Sequence, residues 1–253
     1  MQLKDYLDST YLKTPEQSGL SESDTWNEVL KLTNEAIENK IFSVMIRPNY
    51  VSKIRAIIDN STFPELQLGT VISFPEGNNS VEEKLMEAQN AIFDGADELD
   101  FVLNYRKIKS GNKSELKSEI VECSRWVLEK GIIIKWIIET AALSNDEICE
   151  VSSLIAEIIT KYFEEKYWNK VFVKSSTGFY KTENNKPNGA TVESILLMLE
   201  YAKPLPVKAS GGIKTQNDAL KMIELGVKRI GTSSAVEIIK GENSQFSDIE
   251  NSY

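Results

Sequence analysis

Four charged residues occupy positions where charge is costly. Lys174 closes the apolar run Val171-Phe172-Val173, and Lys208 lies in Val207-Lys208-Ala209-Ser210-Gly211-Gly212. Lys135 falls inside Ile133-Ile134-Lys135-Trp136, and Asp100 inside Glu98-Leu99-Asp100-Phe101-Val102. A lysine attacks a carbonyl carbon only as the neutral amine, so its pKa must drop well below ~10.4. Two lysines at adjacent strand ends can lower each other. At ~5 Å and an effective dielectric of ~20 their repulsion is about 3 kcal/mol, roughly two pK units. Removal from water pushes the same way. The chemistry indicated is Schiff-base formation on a lysine. A single strand-end lysine is as readily a snorkelling or salt-bridged side chain; a pair beside Lys135 and an interior Asp100 is much less so. Asp100 reads as a proton relay that also offsets lysine charge, or as a structural partner of Lys135 or Lys208, and the two roles are compatible. Glu98 and Glu139 are further candidates to neutralise the lysines as ion pairs.

Two glycine-bearing segments have the composition of an anion cradle. Ser210-Gly211-Gly212-Ile213-Lys214-Thr215 follows one strand-like run, and Gly231-Thr232-Ser233-Ser234 follows the next and opens a helix. Glycines let backbone amides approach a ligand, and a helix start presents unsatisfied N–H groups. Either segment alone is as readily a turn or a cap. At consecutive strand ends, phosphate is the better reading.

Composition removes competing chemistries. The chain has no histidine, which excludes imidazole-bound zinc and Ser–His or Cys–His nucleophile pairs. No metal and no organic cofactor is expected. Its two cysteines, Cys123 and Cys149, lie in helical segments and suit a reducing compartment. A formal charge of −9, from 29 basic and 38 acidic residues, argues against nucleic acid as a partner. No apolar run approaches the ~18 residues of a membrane span, and the start shows no secretory leader pattern. A cytoplasmic location is the expectation.

The elements that must position these residues recur along the chain. Apolar, β-branched runs at 42–46, 67–73, 98–103, 132–139, 171–175, 206–210 and 228–231 start about 22 to 39 residues apart, the span of one strand plus one crossover helix. A weaker run covers 6–10. Between them, 26–38, 50–58, 81–93, 113–129, 146–163, 192–200 and 217–225 show apolar residues at helical spacing. Ser80 and Ser144 mark helix starts, and Gly95, Gly131 and Gly226 mark ends. With no linker or composition shift, residues 1–253 are expected to form one domain. Eight strands alternating with helices imply a parallel sheet, either open and doubly wound or closed. Charges inside several strands would point into apolar packing in an open sheet but into the lumen of a barrel. The expected fold is an α/β protein, a single (β/α)8 barrel with an N-terminal helix.

These segments resemble the deoxyribose-phosphate aldolases. The resemblance is carried by Leu7-Asp8-Ser9-Thr10, Ser73-Phe74-Pro75-Glu76-Gly77, Gly95-Ala96-Asp97-Glu98-Leu99-Asp100, Ile137-Ile138-Glu139-Thr140, Lys174-Ser175-Ser176-Thr177-Gly178-Phe179, Lys208-Ala209-Ser210-Gly211-Gly212-Ile213 and Ile230-Gly231-Thr232-Ser233-Ser234. It implies reversible cleavage of 2-deoxy-D-ribose 5-phosphate to acetaldehyde and D-glyceraldehyde 3-phosphate, in deoxyribose phosphate catabolism. By motif position it makes Lys174 the imine-forming residue and Lys208 the group that lowers its pKa. Asp100 would join Lys208 in proton transfer through water, and Lys135 would line the same lumen. Gly178, Gly211, Gly212, Gly231, Ser233 and Ser234 would hold the phosphate. The terminal Tyr253 resembles a tail tyrosine that reaches the active site in some members. The implied partners are the phosphosugar and aldehydes, with room for a homodimer. Met45 stands where many members have cysteine, the 180–189 segment is longer and more polar than usual, and Asn104-Tyr105-Arg106 replaces small residues. Another Schiff-base barrel, such as a transaldolase-like lyase, and a catalytically silent phosphosugar-binding barrel remain alternative readings.

Overall fold

The computed structural model describes residues 2–183 and 187–241. Eight parallel strands close into a barrel in chain order: β1 Leu7–Tyr11, β2 Ser43–Ile46, β3 Gln67–Ile72, β4 Glu98–Val102, β5 Ile133–Ile137, β6 Val171–Lys174, β7 Val207–Ser210 and β8 Arg229–Thr232. The last strand pairs with the first, with Asp8 beside Gly231. All eight expected strands are present, most of them a residue or two shorter than their apolar runs. The runs continue past the last ladder bonds into the loops that build the mouth.

Among the described residues, ten α-helices surround the barrel: α1 Pro15–Ser18, α2 Glu22–Asn39, α3 Val51–Asp59, α4 Val81–Phe93, α5 Tyr105–Lys109, α6 Lys113–Glu129, α7 Asn145–Tyr162, α8 Val192–Tyr201, α9 Gln216–Leu225 and α10 Ala235–Lys240. The helical element at the N-terminus is one 3-10 turn, Leu3–Tyr6, ahead of β1. Helix α2 starts four residues before its apolar periodicity, because the Ser21 hydroxyl accepts the Asp24 amide at 3.0 Å and caps it there. Ser80 and Ser144 cap α4 and α7 with full capping boxes. Helix α5 occupies the unusual Asn104-Tyr105-Arg106 segment, and Arg106 and Tyr105 both bond Glu76 across the mouth.

Alternation along each strand divides the sheet into two faces. In β5, Lys135 faces the lumen, while Trp136 is fully buried outside and donates its indole N–H to Ser124 of α6 at 3.1 Å. The main apolar core fills the layer between barrel and helices. A second, small cluster of Leu12, Met45 and Val71, with Phe74 and Phe179 against it, lies at the ends of β1 to β3. Met45 is therefore an apolar packing residue, and a side chain at Gly69 would collide with its sulfur. Among the described residues, no helix is long and apolar enough to cross a membrane.

Candidate active site

Strand register brings the four charged residues together. Laterally paired residues of parallel strands project on the same side, and Asp100 pairs with Lys135 while Lys174 pairs with Lys208. Asp100 is the hub. Its Oδ1 accepts Lys135 Nζ at 2.7 Å, and its Oδ2 accepts both Lys174 Nζ at 2.8 Å and Lys208 Nζ at 2.9 Å. Lys135 also reaches Glu98 at 2.7 Å, and Lys208 reaches Asp8 at 2.5 Å. At the base, Arg229 grips Asp8 Oδ1, takes both oxygens of Glu98 at 2.9 and 3.0 Å, and donates to Ser43 at 3.1 Å.

This lumenal cluster contains three carboxylates, Asp8, Glu98 and Asp100, and four cationic side chains, all buried. It balances when one cation is neutral. Lys174 is the candidate, because its amine meets one carboxylate and shares that with two other lysines. Burial carries its pKa down from 10.5 to about 8, Lys208 and Lys135 push the same way, and Asp100 opposes them. Repulsion from Lys208 was the leading cause expected from spacing; in the folded barrel, loss of water is the larger one. Lys208 is itself clamped between Asp8 and Asp100. Burial alone would raise the Asp100 carboxyl, but Lys135, Lys174 and Lys208 hold it well below the usual range. Burial would likewise lower Lys135, yet Asp100, Glu98 and Asp8 raise it.

Glu98 is an ion-pair partner as expected; Glu139 makes no close ion pair among the described residues, though the Lys174 charge acts on it. Glu139 bonds the Ser176 and Thr177 hydroxyls and the Thr177 amide. Burial raises its carboxyl, opposed by those bonds. Asp8 and Arg229 were not singled out beforehand. Arg229 follows Lys228 and looks like half of a solvated basic pair; the signal was its position two residues before Gly231, on the inward side of β8.

Above Lys174 opens a cavity of about 590 Å³. Gly178, Gly211, Gly212, Gly231 and Ser233 line it, together with Lys13, Lys181 and Lys214. The Gly211 and Gly212 amides find no acceptor among the described residues. Gly211 has φ +88°, and a Cβ there would lie 2.8 Å from the Gly189 backbone, so two loops can touch only through glycines. At Gly231 a Cβ would come within 2.5 Å of Ser210 Oγ and 3.3 Å of Lys208 Cε. Two candidates sit differently from expectation. The Gly178 amide already donates to Ser176 Oγ at 2.9 Å, so Gly178 offers close approach and no free donor. Ser234 stands at the start of the six-residue α10 without a side-chain capping bond and lies outside the cavity lining, its amide held by Thr232 Oγ1 at 3.0 Å. Tyr253 lies outside the described residues. Among the described residues, no group of three or more His, Cys, Asp or Glu is placed to hold a metal ion.

Fold and lumen define a class: a (β/α)8 barrel with a buried, lysine-rich polar cluster under a mouth lined by lysines and glycine loops. Residues 16–238 match the DeoC/LacD family aldolase profile. The chain is 36% identical over 242 residues to the deoxyribose-phosphate aldolase of Thermococcus gammatolerans, covering 95% of this chain and 96% of that one. It is 36% identical over 234 residues to the deoxyribose-phosphate aldolase of Clostridioides difficile, covering 92% and 97%. Among solved structures, the tetrameric deoxyribose phosphate aldolase of Aeropyrum pernix aligns with a TM-score of 0.74 at 29% identity, over 94% of this chain and 89% of that one. The chain belongs to the DeoC/LacD family of aldolases and is an enzyme of the lyase class.

Proposed function

We propose that this chain is a deoxyribose-phosphate aldolase that cleaves 2-deoxy-D-ribose 5-phosphate through a Schiff base on Lys174. The observation that carries the reading is the Lys174 amine, 3% exposed under the cavity, with its pKa brought down to about 8. At pH 7 roughly a tenth of such an amine is neutral, some 300-fold more than for a lysine of ordinary pKa. Neutral Lys174 attacks the C1 aldehyde carbon of the open-chain sugar, and loss of water gives the protonated imine. Removal of the C3 hydroxyl proton breaks the C2–C3 bond and releases D-glyceraldehyde 3-phosphate. The electron pair is held as an enamine, which is protonated at C2 and hydrolysed to acetaldehyde. Asp100, bonded to both lysines, holds Lys208 beside the reacting nitrogen and joins it in passing protons through water. Lys135 anchors the other Asp100 oxygen.

The phosphate is held at the Gly211 and Gly212 amides and by Ser233, with Lys181 and Lys214 supplying local positive charge. Gly231 leaves room for Lys208. On this reading the 253 residues act as one barrel domain in the cytoplasm, and its partners are the phosphosugar and the two aldehydes. Borohydride reduction in the presence of acetaldehyde should leave a two-carbon adduct on Lys174. Cleavage of the phosphosugar should survive a chelator. No adduct, with turnover intact in Lys174→Met, sinks the mechanism.

A further inference from the structure

The lumenal cluster leaves one buried acid unused. Glu139 follows β5, is 1% exposed, and has φ +58°, a left-handed conformation that L side chains rarely adopt. Non-glycine residues held there tend to serve a site. Among the described residues, no lysine or arginine lies within ion-pair distance of its carboxylate. Its three donors all belong to the loop that leaves Lys174: Ser176 Oγ at 2.7 Å, the Thr177 amide at 3.2 Å, and Thr177 Oγ1.

Each hydroxyl then accepts an amide further on. Ser176 Oγ accepts Gly178 N at 2.9 Å, and Thr177 Oγ1 accepts Phe179 N at 3.0 Å. One carboxylate thus fixes four successive residues, 176–179. Backbone bonds on either side of Glu139 tie the same two segments: Ile138 N to Lys174 O at 3.0 Å and Thr140 N to Ser175 O at 2.8 Å. The loop so held supplies Thr177, Gly178 and Phe179 to the cavity wall. Phe179 also packs edge-on against Phe74, with ring centroids 5.2 Å apart.

We propose that Glu139 is a positioning residue that shapes the phosphate side of the cavity by holding the 176–179 loop, while Lys174 is held independently by its strand. The inference rests on the aldolase reading. Its test is a comparison of Glu139→Gly and Glu139→Gln with the wild-type enzyme. Glycine suits the left-handed backbone but removes every acceptor, whereas glutamine keeps an acceptor for Thr177 and a polar partner for Ser176. The expected result is a graded rise in KM for deoxyribose 5-phosphate, tenfold or more in Glu139→Gly and about threefold in Glu139→Gln. Expected with it are kcat within threefold of wild type and acetaldehyde–borohydride labelling of Lys174 within twofold. If Glu139→Gly does not fold, Thr177→Val, which deletes one donor and keeps the shape, carries the tenfold expectation. An unchanged KM overturns the proposal. So does labelling that slows as much as cleavage, which would place the effect on Lys174. A wild-type enzyme that neither cleaves the sugar nor becomes labelled overturns the aldolase reading and this inference with it.

Discussion

The base and the mouth of the barrel bury cations with opposite consequences. At the base, Arg229 meets two carboxylates, bonds three of their four oxygens, and adds Ser43. Burial would lower its pKa, but Asp8 and Glu98 outweigh burial and raise it. At the mouth, Lys174 has one oxygen of Asp100, and Lys208 bonds the same atom. Burial then prevails, and the amine falls to about 8. Desolvation acts on both; the supply of counter-charge differs. A buried cation with enough acceptors holds its charge, and one left short gives up its proton more readily.

The largest effect should come from removing the under-supplied cation. Lys174→Met is expected to lose at least ~10⁴-fold in single-turnover cleavage, without loss of melting temperature, because no carboxylate depends on it alone. Residual activity within tenfold of wild type would place the nucleophile elsewhere. Removing the fully supplied cation should harm the fold instead. Arg229→Gln leaves Asp8 and Glu98 short of charge and is expected to cost about 3–5 kcal/mol in urea unfolding. An unmoved midpoint would break the distinction between clamp and nucleophile.

A pH profile sharpens it further. The neutral amine is the reactive form, so kcat/KM should rise up to tenfold per pH unit below about 8 and level off above it. The folded-state pKa of Lys174 lies below its unfolded value, so the unfolded chain binds more protons between about 8 and 10.5. The Lys174 contribution to stability is therefore least favourable below pH 8 and improves as pH rises through that window. A rate profile flat from pH 6 to 9 would contradict the lowered amine. The smallest effect is expected at Ser234. Its side chain lies outside the cavity lining, so Ser234→Ala should change KM by less than about twofold. A larger rise would bring Ser234 back into the phosphate site.

Much of the site was legible because strand alternation exposes it. Lys135, Lys174, Lys208 and Asp100 each interrupt an apolar run, and a charge there has few places to go except a lumen. Glycines at two consecutive strand ends pointed to the mouth in the same way. Glu139 was visible as a buried acid, but its partners were not, since nothing local distinguishes a carboxylate bonded by hydroxyls from one paired with lysine. Gly178 and Ser234 carried the right residue types, yet short-range bonds to Ser176 and Thr232 use their amides. The short helix α5 lacked the length that periodicity needs.

What the sequence determined by itself is that Asp100, Lys135, Lys174 and Lys208 point inward, because a period of two assigns faces strand by strand without reference to any other strand. Which of those charges keeps its proton was decided only by closure of the barrel. Asp8 and Arg229 stand 221 residues apart and meet because β8 pairs with β1. That contact supplies Arg229 with its acceptors and leaves Lys174 with a share of Asp100. Counter-charge within reach is a property of the closed barrel, and it separates the clamped Arg229 from the Lys174 amine with its lowered pKa.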